Sequence, residues 1–237
     1  QHTTAHGLPA DEIRDVQYWA DGHVWVATQG GAAHWDGARW TAYTVQDGLP
    51  DDDVRGISPD YAGDAWAATA AGAAHFDHRL GRWRVLPNLP AGIDLTGVAR
   101  NTFSTRGEGL VKFVEGGEWR GTRTRFTAAD GLPSDAVTAL ATTAAGVLVG
   151  TPAGVGEWTG AQWQPVLDSP ANDLSTDAIG TDAGLWVRRA AGWTQVTTAP
   201  VSHVAGGGWY VGDDRICRWS EATVNCGAPP QEDAPAD

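Results

Sequence analysis

Two arginines in equivalent places are the first residues of this chain that could bind a ligand. Arg14 stands in EIRDV and Arg55 in DVRGI, each directly after the aliphatic residue that opens a strand. The matching positions further along hold Thr96 and Thr138. Guanidinium groups bind carboxylates well. The two arginines could therefore hold an anionic ligand, or simply pair with the aspartates beside them, and the sequence leaves both roles open.

Carboxylates also recur, in the segment that leads into each repeat. The aligned residues are Asp11, Asp52, Asp135 and Asp177. A ring of such carboxylates could bind Ca²⁺ or a cationic ligand. The alternative is that each aspartate caps backbone N–H groups of its own turn. We favour turn capping because the aspartate returns in unit after unit, and we predict no metal and no cofactor.

The aromatic residues and histidines offer fewer candidates. Twelve of the 13 tryptophans fall on recurring strand positions, which is typical of packing between sheets. Trp19, in QYWADG, lies near a turn and is the tryptophan that we predict as a ligand platform. His203, on the first strand of the last repeat, could reach a ligand at the channel. His34 and His75 occupy equivalent third-strand positions and are expected to contact neighbours rather than a metal.

The two cysteines, Cys217 and Cys226, stand nine apart in a predicted hairpin. In an oxidising compartment they could form a cross-strand disulfide, and the alternative is a pair of reduced, buried thiols. The sequence contains no GxSxG, HExxH, P-loop or GxGxxG motif. We therefore expect no catalytic residues and no enzyme activity.

A repeat positions all of these residues. Residues 7–47 read GLPADEIRDVQYWADGHVWVATQGGAAHWDGARWTAYTVQD, and Gly48 begins a second copy. Looser copies begin near residues 88 and 131, so the spacings are 41, 40 and 43 residues. Periods of roughly 40 to 50 residues are typical of propeller blades. Within a unit, alternating apolar residues between DG and QGG turns predict four antiparallel strands.

The sequence therefore predicts an all-β fold, a single β-propeller over residues 1–227. The blades are expected to begin near residues 7, 48, 88, 131, 173 and 200, which makes six, with five as the alternative. Blade five is expected to be reduced to three strands, and QHTTA to add to the last blade. Residues 228–237, Pro-rich and acidic, are predicted to be a disordered tail. Blades three and five depart from the repeat and are the expected places for added function.

Composition excludes several partners. The net charge of −13 repels nucleic acid and anionic membrane surfaces. No apolar run approaches the roughly 18 residues of a transmembrane helix. Methionine is absent even at position 1, a pattern that we expect of a processed, secreted product.

The units resemble the two-component regulator propeller repeat, through GLPDDDV, HVWVATQGGAAHWDG, RWTAYTVQDGLP, GLPSDAV and VLVGTPAGVGEW. In that family the propeller is usually an extracytoplasmic sensor region that precedes a membrane span and a histidine kinase. These 237 residues contain neither, so the resemblance implies no signalling output. It implies a non-catalytic secreted or periplasmic binding module.

The partner is expected to be a protein or a small ligand bound at a loop face. One alternative is an accessory subunit, tethered to a larger extracytoplasmic or membrane-associated complex. The other is a propeller lyase or hydrolase that acts at the channel mouth.

Overall fold

The computed structural model describes residues 2–18, 22–60, 63–90, 92–114, 122–143, 146–205, 208–212, 215–220 and 224–226. These residues form 24 strands in six four-stranded antiparallel sheets, which are the blades of a β-propeller. The predicted all-β fold and the count of six blades are confirmed. The chain divides into two compact units, Gln1–Thr127 with blades one to three and Ala128–Asp237 with blades four to six.

The first unit follows the repeat closely. The strands of blade one are β1 (Ile13–Tyr18), β2 (Val24–Thr28), β3 (Gly31–Trp35) and β4 (Trp40–Tyr43). The strands of blade two are β5 (Val54–Pro59), β6 (Ala65–Thr69), β7 (Gly72–Asp77) and β8 (Arg82–Val85). The strands of blade three are β9 (Leu95–Ala99), β10 (Thr102–Thr105), β11 (Leu110–Val114) and β12 (Thr122–Phe126). In each blade the strands pair in chain order, so each sheet is a meander.

The second unit has the same organisation. The strands of blade four are β13 (Ala139–Thr142), β14 (Val147–Thr151), β15 (Gly154–Trp158) and β16 (Trp163–Leu167). The strands of blade five are β17 (Asp173–Leu174), β18 (Ala178–Thr181), β19 (Gly184–Arg189) and β20 (Gly192–Thr197). The strands of blade six are β21 (Val201–Ala205), β22 (Trp209–Gly212), β23 (Arg215–Trp219) and β24 (Val224–Cys226).

The prediction of a three-stranded blade five is wrong. A third strand, β19, is present and pairs with both β18 and β20. What is reduced is the first strand, since β17 contains only two residues. Two residues are too few to show the alternation of apolar and polar side chains, so the sequence pattern does not reveal β17 as a strand. The predicted strand at the N-terminus is also wrong, because residues 2–12 contain no strand and Thr4–His6 form a short 3₁₀ helix.

Short 3₁₀ helices precede three of the GLP segments, at Thr4–His6, Val45–Asp47 and Ala128–Asp130. The glycine of GLP then turns the chain with a left-handed backbone, and φ of Gly48 is 101°. A Cβ atom on Gly48 would lie 2.2 Å from the carbonyl oxygen of Trp83. Glycine is required here for both its backbone angle and its small size.

The cores of the first unit lie between successive blades. Trp25 of blade one packs against Phe76 and Trp83 of blade two, with ring centroids 5.2 and 5.7 Å apart. Trp66 of blade two packs in the same way against Phe103 of blade three. These contacts bury the large rings and fix the angle between neighbouring sheets. Most tryptophans therefore serve packing, as the repeat predicts.

Trp209 is an exception, because it is 45% exposed on β22. The adjacent Tyr210 takes the buried position and packs against Trp219. Neighbouring residues in a strand point to opposite faces, so only one of the two rings can enter the core. The prediction of a core role is wrong for Trp209.

The first strand of a blade is an edge strand, and side chains of the preceding blade satisfy some of its N–H groups. A carboxylate oxygen of Asp15 accepts a hydrogen bond of 3.0 Å from the N–H of Ile57. Ser58 accepts one of 2.8 Å from the N–H of Arg100. In the second unit Asp173 accepts one of 3.0 Å from the N–H of Val204. These bonds hold the first strands, and therefore the site residues on them, in a defined register.

Candidate functional site

A row of alternating charges crosses the starts of the three first strands in unit one. Its members are Glu12, Arg14, Asp53, Arg55, Asp94 and Arg106. Arg14 Nη2 lies 3.5 Å from Glu12 Oε1 and 3.2 Å from Asp53 Oδ1. Arg55 Nε lies 3.4 Å from the other oxygen of Asp53. One carboxylate thus connects the arginines of blades one and two.

Asp94 continues this charged row into blade three. It accepts hydrogen bonds from Arg55 Nη1 and, at 2.6 Å, from Arg106 Nε. The hydrogen bonds from Arg106 and Arg55, together with their charges, lower the pKa of the Asp94 carboxyl. Burial alone would lower the pKa of Arg55, but the hydrogen bonds and charges of Asp94 and Asp53 outweigh it and raise that pKa. Both groups are therefore held in their charged forms.

The charged row contains three acidic and three basic side chains, so it is neutral as a whole. Arg55 Nη1 also donates a hydrogen bond of 2.9 Å to the carbonyl oxygen of Leu95. A simple anion would have to displace Asp53 or Asp94 to bind there. The structure thus shows Arg14 and Arg55 as parts of an ion-pair network that ties blade to blade, and a ligand has to be accommodated beside this network.

Three of the four recurring aspartates occupy one structural position. Asp11, Asp52 and Asp135 accept hydrogen bonds from the N–H groups of Thr4, Val45 and Ala128, at 2.7, 2.8 and 2.6 Å. Each donor opens a 3₁₀ helix, where backbone N–H groups lack partners within the helix. This geometry is that of turn capping.

The alignment of Asp177 with these three residues is wrong. Asp177 follows β17 instead of preceding it, and its carboxylate accepts a hydrogen bond from Ser175 in the turn to β18. Blade five has a shorter sequence spacing than blades one to four, so Asp177 does not occupy the position that the other three aspartates occupy. Within the described ranges, no three His, Cys, Asp or Glu side chains are placed to hold a metal ion.

Two further residues, His203 and Trp19, were predicted as ligand contacts. His203 lies on β21 in unit two, where its side chain is 74% exposed and its Nδ1 is 3.6 Å from Asp173. Trp19 lies outside the described residues, and nothing in the structure tests its predicted role.

The histidines of the third strands lie at the ends of blades one and two that are away from the charged row. His34 Nε2 lies 3.0 Å from Nδ1 of His23. His75 Nε2 lies 3.8 Å from Asp64, whose other carboxylate oxygen is 2.6 Å from His78. Burial, reinforced by His23, lowers the pKa of His34, and burial also lowers the pKa of His75 against the opposing effect of Asp64.

These two lowered pKa values predict sensitivity to acid. The folded state prefers neutral imidazoles at His34 and His75, whereas the unfolded chain takes up protons below the ordinary pKa of 6.5. The contribution of these neutral imidazoles to stability is therefore fully present above pH 6.5 and is lost as the pH falls from 6.5 to the lowered pKa values, below which both states are protonated. We expect the free energy of unfolding, measured by urea denaturation between about pH 7 and 5, to fall less in His75→Gln than in the wild type.

The matched control is His203→Gln, which replaces an exposed histidine and should retain the dependence of the wild type. If His75→Gln and the wild type have the same slope against pH, protonation of His75 does not limit stability.

A cavity of about 440 Å³ lies between blades two and three. One side is the turn between β6 and β7, at Ala70 and Ala71, and the other is the segment from Val85 to Ile93. Buried Leu86 and Ile93, with half-buried Leu89, supply the apolar part of a lining that is polar and apolar in similar measure. The volume falls within the range of roughly 300–1,000 Å³ that is typical of ligand pockets.

The cavity and the charged row meet at the same end of the blades. Ile93 lines the cavity, and the next residue, Asp94, belongs to the row. The N–H of Ala70 donates a hydrogen bond of 3.0 Å to the carbonyl of Asp53. A cavity with aliphatic side chains in its lining and charged groups at its margin can hold an apolar group while the polar side chains orient other parts of the same ligand.

The sequence did not identify the cavity, Asp94 or Arg106. The sequence feature that could have pointed to the cavity is the irregular segment PNLPAGID, in which Asn88 adopts a positive φ of 64°. The departure of blade three from the repeat pointed to this region, but the site is lined by residues from the turn between β6 and β7, from β8 and from the segment that leads into β9. Their proximity depends on how the two blades pack.

Solved structures with similar folds belong to proteins of different functions. A virginiamycin B lyase from Staphylococcus aureus has a TM-score of 0.65 and 14% sequence identity, over 93% of this chain and 85% of the lyase. The extracellular domain of a putative one component system from B. thetaiotaomicron has a TM-score of 0.64 and 16% identity, over 91% of this chain and 33% of that chain. The extracellular domain of a putative hybrid two component system from the same organism has a TM-score of 0.63 and 17% identity, over 87% of this chain and 32% of that chain.

At such identities the similarity shows the propeller fold alone. This chain spans about a third of the length of the two sensor ectodomains. No protein-family model matches the sequence, and a search of curated proteins found no match. The resemblance to regulator propeller repeats is thus accompanied by structural neighbours among sensor ectodomains, while membership of that family is not shown.

Two further observations bear on the location of the protein. Cys217 and Cys226 form a disulfide, as predicted, between the directly paired positions of β23 and β24. The part of the chain that the structure describes contains no helix with the length and apolar character of a membrane span.

Proposed function

We propose that this protein is a non-catalytic, extracytoplasmic binding module that holds an apolar group of its ligand in the cavity between blades two and three. The observation that carries the proposal is the 440 Å³ cavity beside the charged row, whose lining includes the aliphatic side chains of Leu86, Leu89 and Ile93. The disulfide supports an oxidising compartment, and the similar fold of sensor ectodomains supports a binding role.

The ligand class follows from the lining of the cavity. Leu86, Leu89 and Ile93 offer contacts to an aliphatic side chain, while Asp94 and Arg106 at the margin offer charged hydrogen-bond partners for backbone amides. A peptide segment with an exposed leucine or similar residue combines both features. Peptide recognition commonly pairs an apolar pocket with polar contacts of this kind.

The test uses N-acetyl-leucinamide, a neutral mimic of leucine within a peptide, followed by NMR shifts of the protein amides. We expect shifts at Leu86, Leu89 and Ile93. The exposed Ala71 lines the cavity, so Ala71→Trp should occupy it and weaken binding roughly tenfold or more.

The control variant is Ala153→Trp, at the same turn position of blade four and also exposed. Its binding should equal that of the wild type. Equal weakening by both variants, or shifts confined to another part of the protein, would exclude the cavity as the binding site.

A lyase activity is the second candidate, and it is favoured by one specific arrangement. The exposed imidazole of His203 lies beside Asp173, which could orient it as a general base. Loss of intact virginiamycin B in the presence of the wild type, but not of His203→Ala, would support this candidate over a purely binding role.

A further inference from the structure

The positive charges of this acidic protein are concentrated in one segment. Residues 79–125 contain nine of the 16 Lys and Arg residues but only four of the 29 Asp and Glu residues, for a net charge of +5. The rest of the chain, with seven basic and 25 acidic residues, carries −18, and the two values sum to −13. A concentration of this kind needs a structural explanation, because ordinary surface charge is mixed.

Strand register places four of these arginines on the facing sides of blades two and three. Arg82 and Arg84 pair with Asp77 and His75 of β7, and His75 shares its face with Trp66. Trp66 belongs to the core between blades two and three. Arg82 and Arg84 therefore lie on the face of blade two that packs against blade three.

The opposite wall comes from β12. Arg123 and Arg125 pair with Phe113 and Val111 of β11, and both apolar partners belong to the same core as Trp66. Arg123 and Arg125 therefore face blade two. Since β8 and β12 are the outer strands of their sheets, the four arginines border the outer margin of the interface between the two blades. We call this feature the basic groove.

Among the described residues, two of these four arginines have ion-pair partners. Arg84 Nη2 lies 3.2 Å from Asp77. Arg125 lies 3.5 Å from the Glu108 carboxylate and donates a hydrogen bond of 3.0 Å to its carbonyl. Arg82 and Arg123 are exposed, and neither has an ion-pair partner among the described residues. Within the described ranges, two exposed guanidinium groups, one on each wall, thus remain without an ion-pair partner and could contact a ligand.

We propose that the basic groove binds an acidic, extended segment of a protein partner, at a site separate from the cavity. Guanidinium groups bind carboxylates with paired hydrogen bonds, which suits Asp and Glu side chains. The outer strands β8 and β12 each have an unpaired edge along which an extended chain can lie. A long polyanion such as nucleic acid is disfavoured, because the rest of the chain carries a net charge of −18 that would repel it.

The experiment measures binding of fluorescein-labelled octaglutamate to the whole chain by fluorescence anisotropy. We expect binding that weakens between about 0.1 M and 1 M NaCl, as the Debye length falls from roughly 10 to 3 Å. The double variant Arg82→Glu with Arg123→Glu should bind roughly tenfold more weakly or worse, because it removes both unpaired cations.

The control is Arg39→Glu with Arg215→Glu, which changes the net charge equally at exposed arginines outside the groove. Its affinity should stay within about twofold of the wild type. Equal losses in both double variants would show a general charge effect and overturn the proposal. Tighter binding of a labelled oligonucleotide or of heparin than of octaglutamate would also overturn it, by showing that the partner class is wrong.

A cavity variant distinguishes the two sites. Ala71→Trp should weaken binding of N-acetyl-leucinamide and leave octaglutamate binding unchanged. If it abolishes both, the groove and the cavity act as one site, and the proposal of a separate acidic-segment site is overturned.

Discussion

Replacement of Trp66 by alanine is expected to lower the free energy of unfolding by about 3–5 kcal/mol, the usual cost of removing a large buried ring. Trp66 is only 2% exposed and packs against Phe103, with His75 4.3 Å away between ring centroids. Its indole N–H also donates a hydrogen bond to Asp60. The variant loses this bond and leaves a large hole between blades two and three.

Urea denaturation followed by far-ultraviolet circular dichroism measures the effect without relying on tryptophan fluorescence. The control is Trp209→Ala, which removes a ring that is 45% exposed and should cost less than about 1.5 kcal/mol. Similar losses in both variants would contradict the packing described for blades two and three.

Replacing both Cys217 and Cys226 by serine is expected to lower the stability of the second unit by about 2.5 kcal/mol, as chain entropy predicts for a loop of this length. The cysteines are nine residues apart and join β23 to β24. β24 contains only three residues and lies at the end of its sheet, so few backbone hydrogen bonds hold it in place. The disulfide supplies the missing restraint.

Thermal unfolding with and without dithiothreitol tests this expectation. Reduction should lower the midpoint of the wild type to that of the double serine variant, and the variant itself should not respond to dithiothreitol. Hydrogen exchange should locate the loss of protection in β23 and β24. An unchanged midpoint after complete reduction would show that strand pairing alone holds the hairpin.

Much of the fold could be predicted because its signals are local. The segments HVWVAT and AAHWD correspond to β2 and β3, and the glycines of the DG and QGG turns mark where the chain reverses. Alternation within a strand and glycine in a turn act over a few residues, so they can be recognised in the sequence alone. The same reasoning failed for blade five, where β17 is too short to show alternation and Asp177 shifted out of register.

The repeat and its turn residues by themselves determined the all-β propeller, the meander of the regular blades and the recurring aromatic positions. The structure then decided in favour of six blades, a four-stranded blade five and the Cys217–Cys226 disulfide. Only the tertiary structure decided which charges and apolar groups meet. Arg55 and Asp94 are 39 residues apart, and the basic groove joins arginines from the outer strands of two different blades. Such contacts depend on which face of one sheet packs against which face of the next. That choice depends on the summed burial of many side chains, and it leaves no signal at any single charged residue.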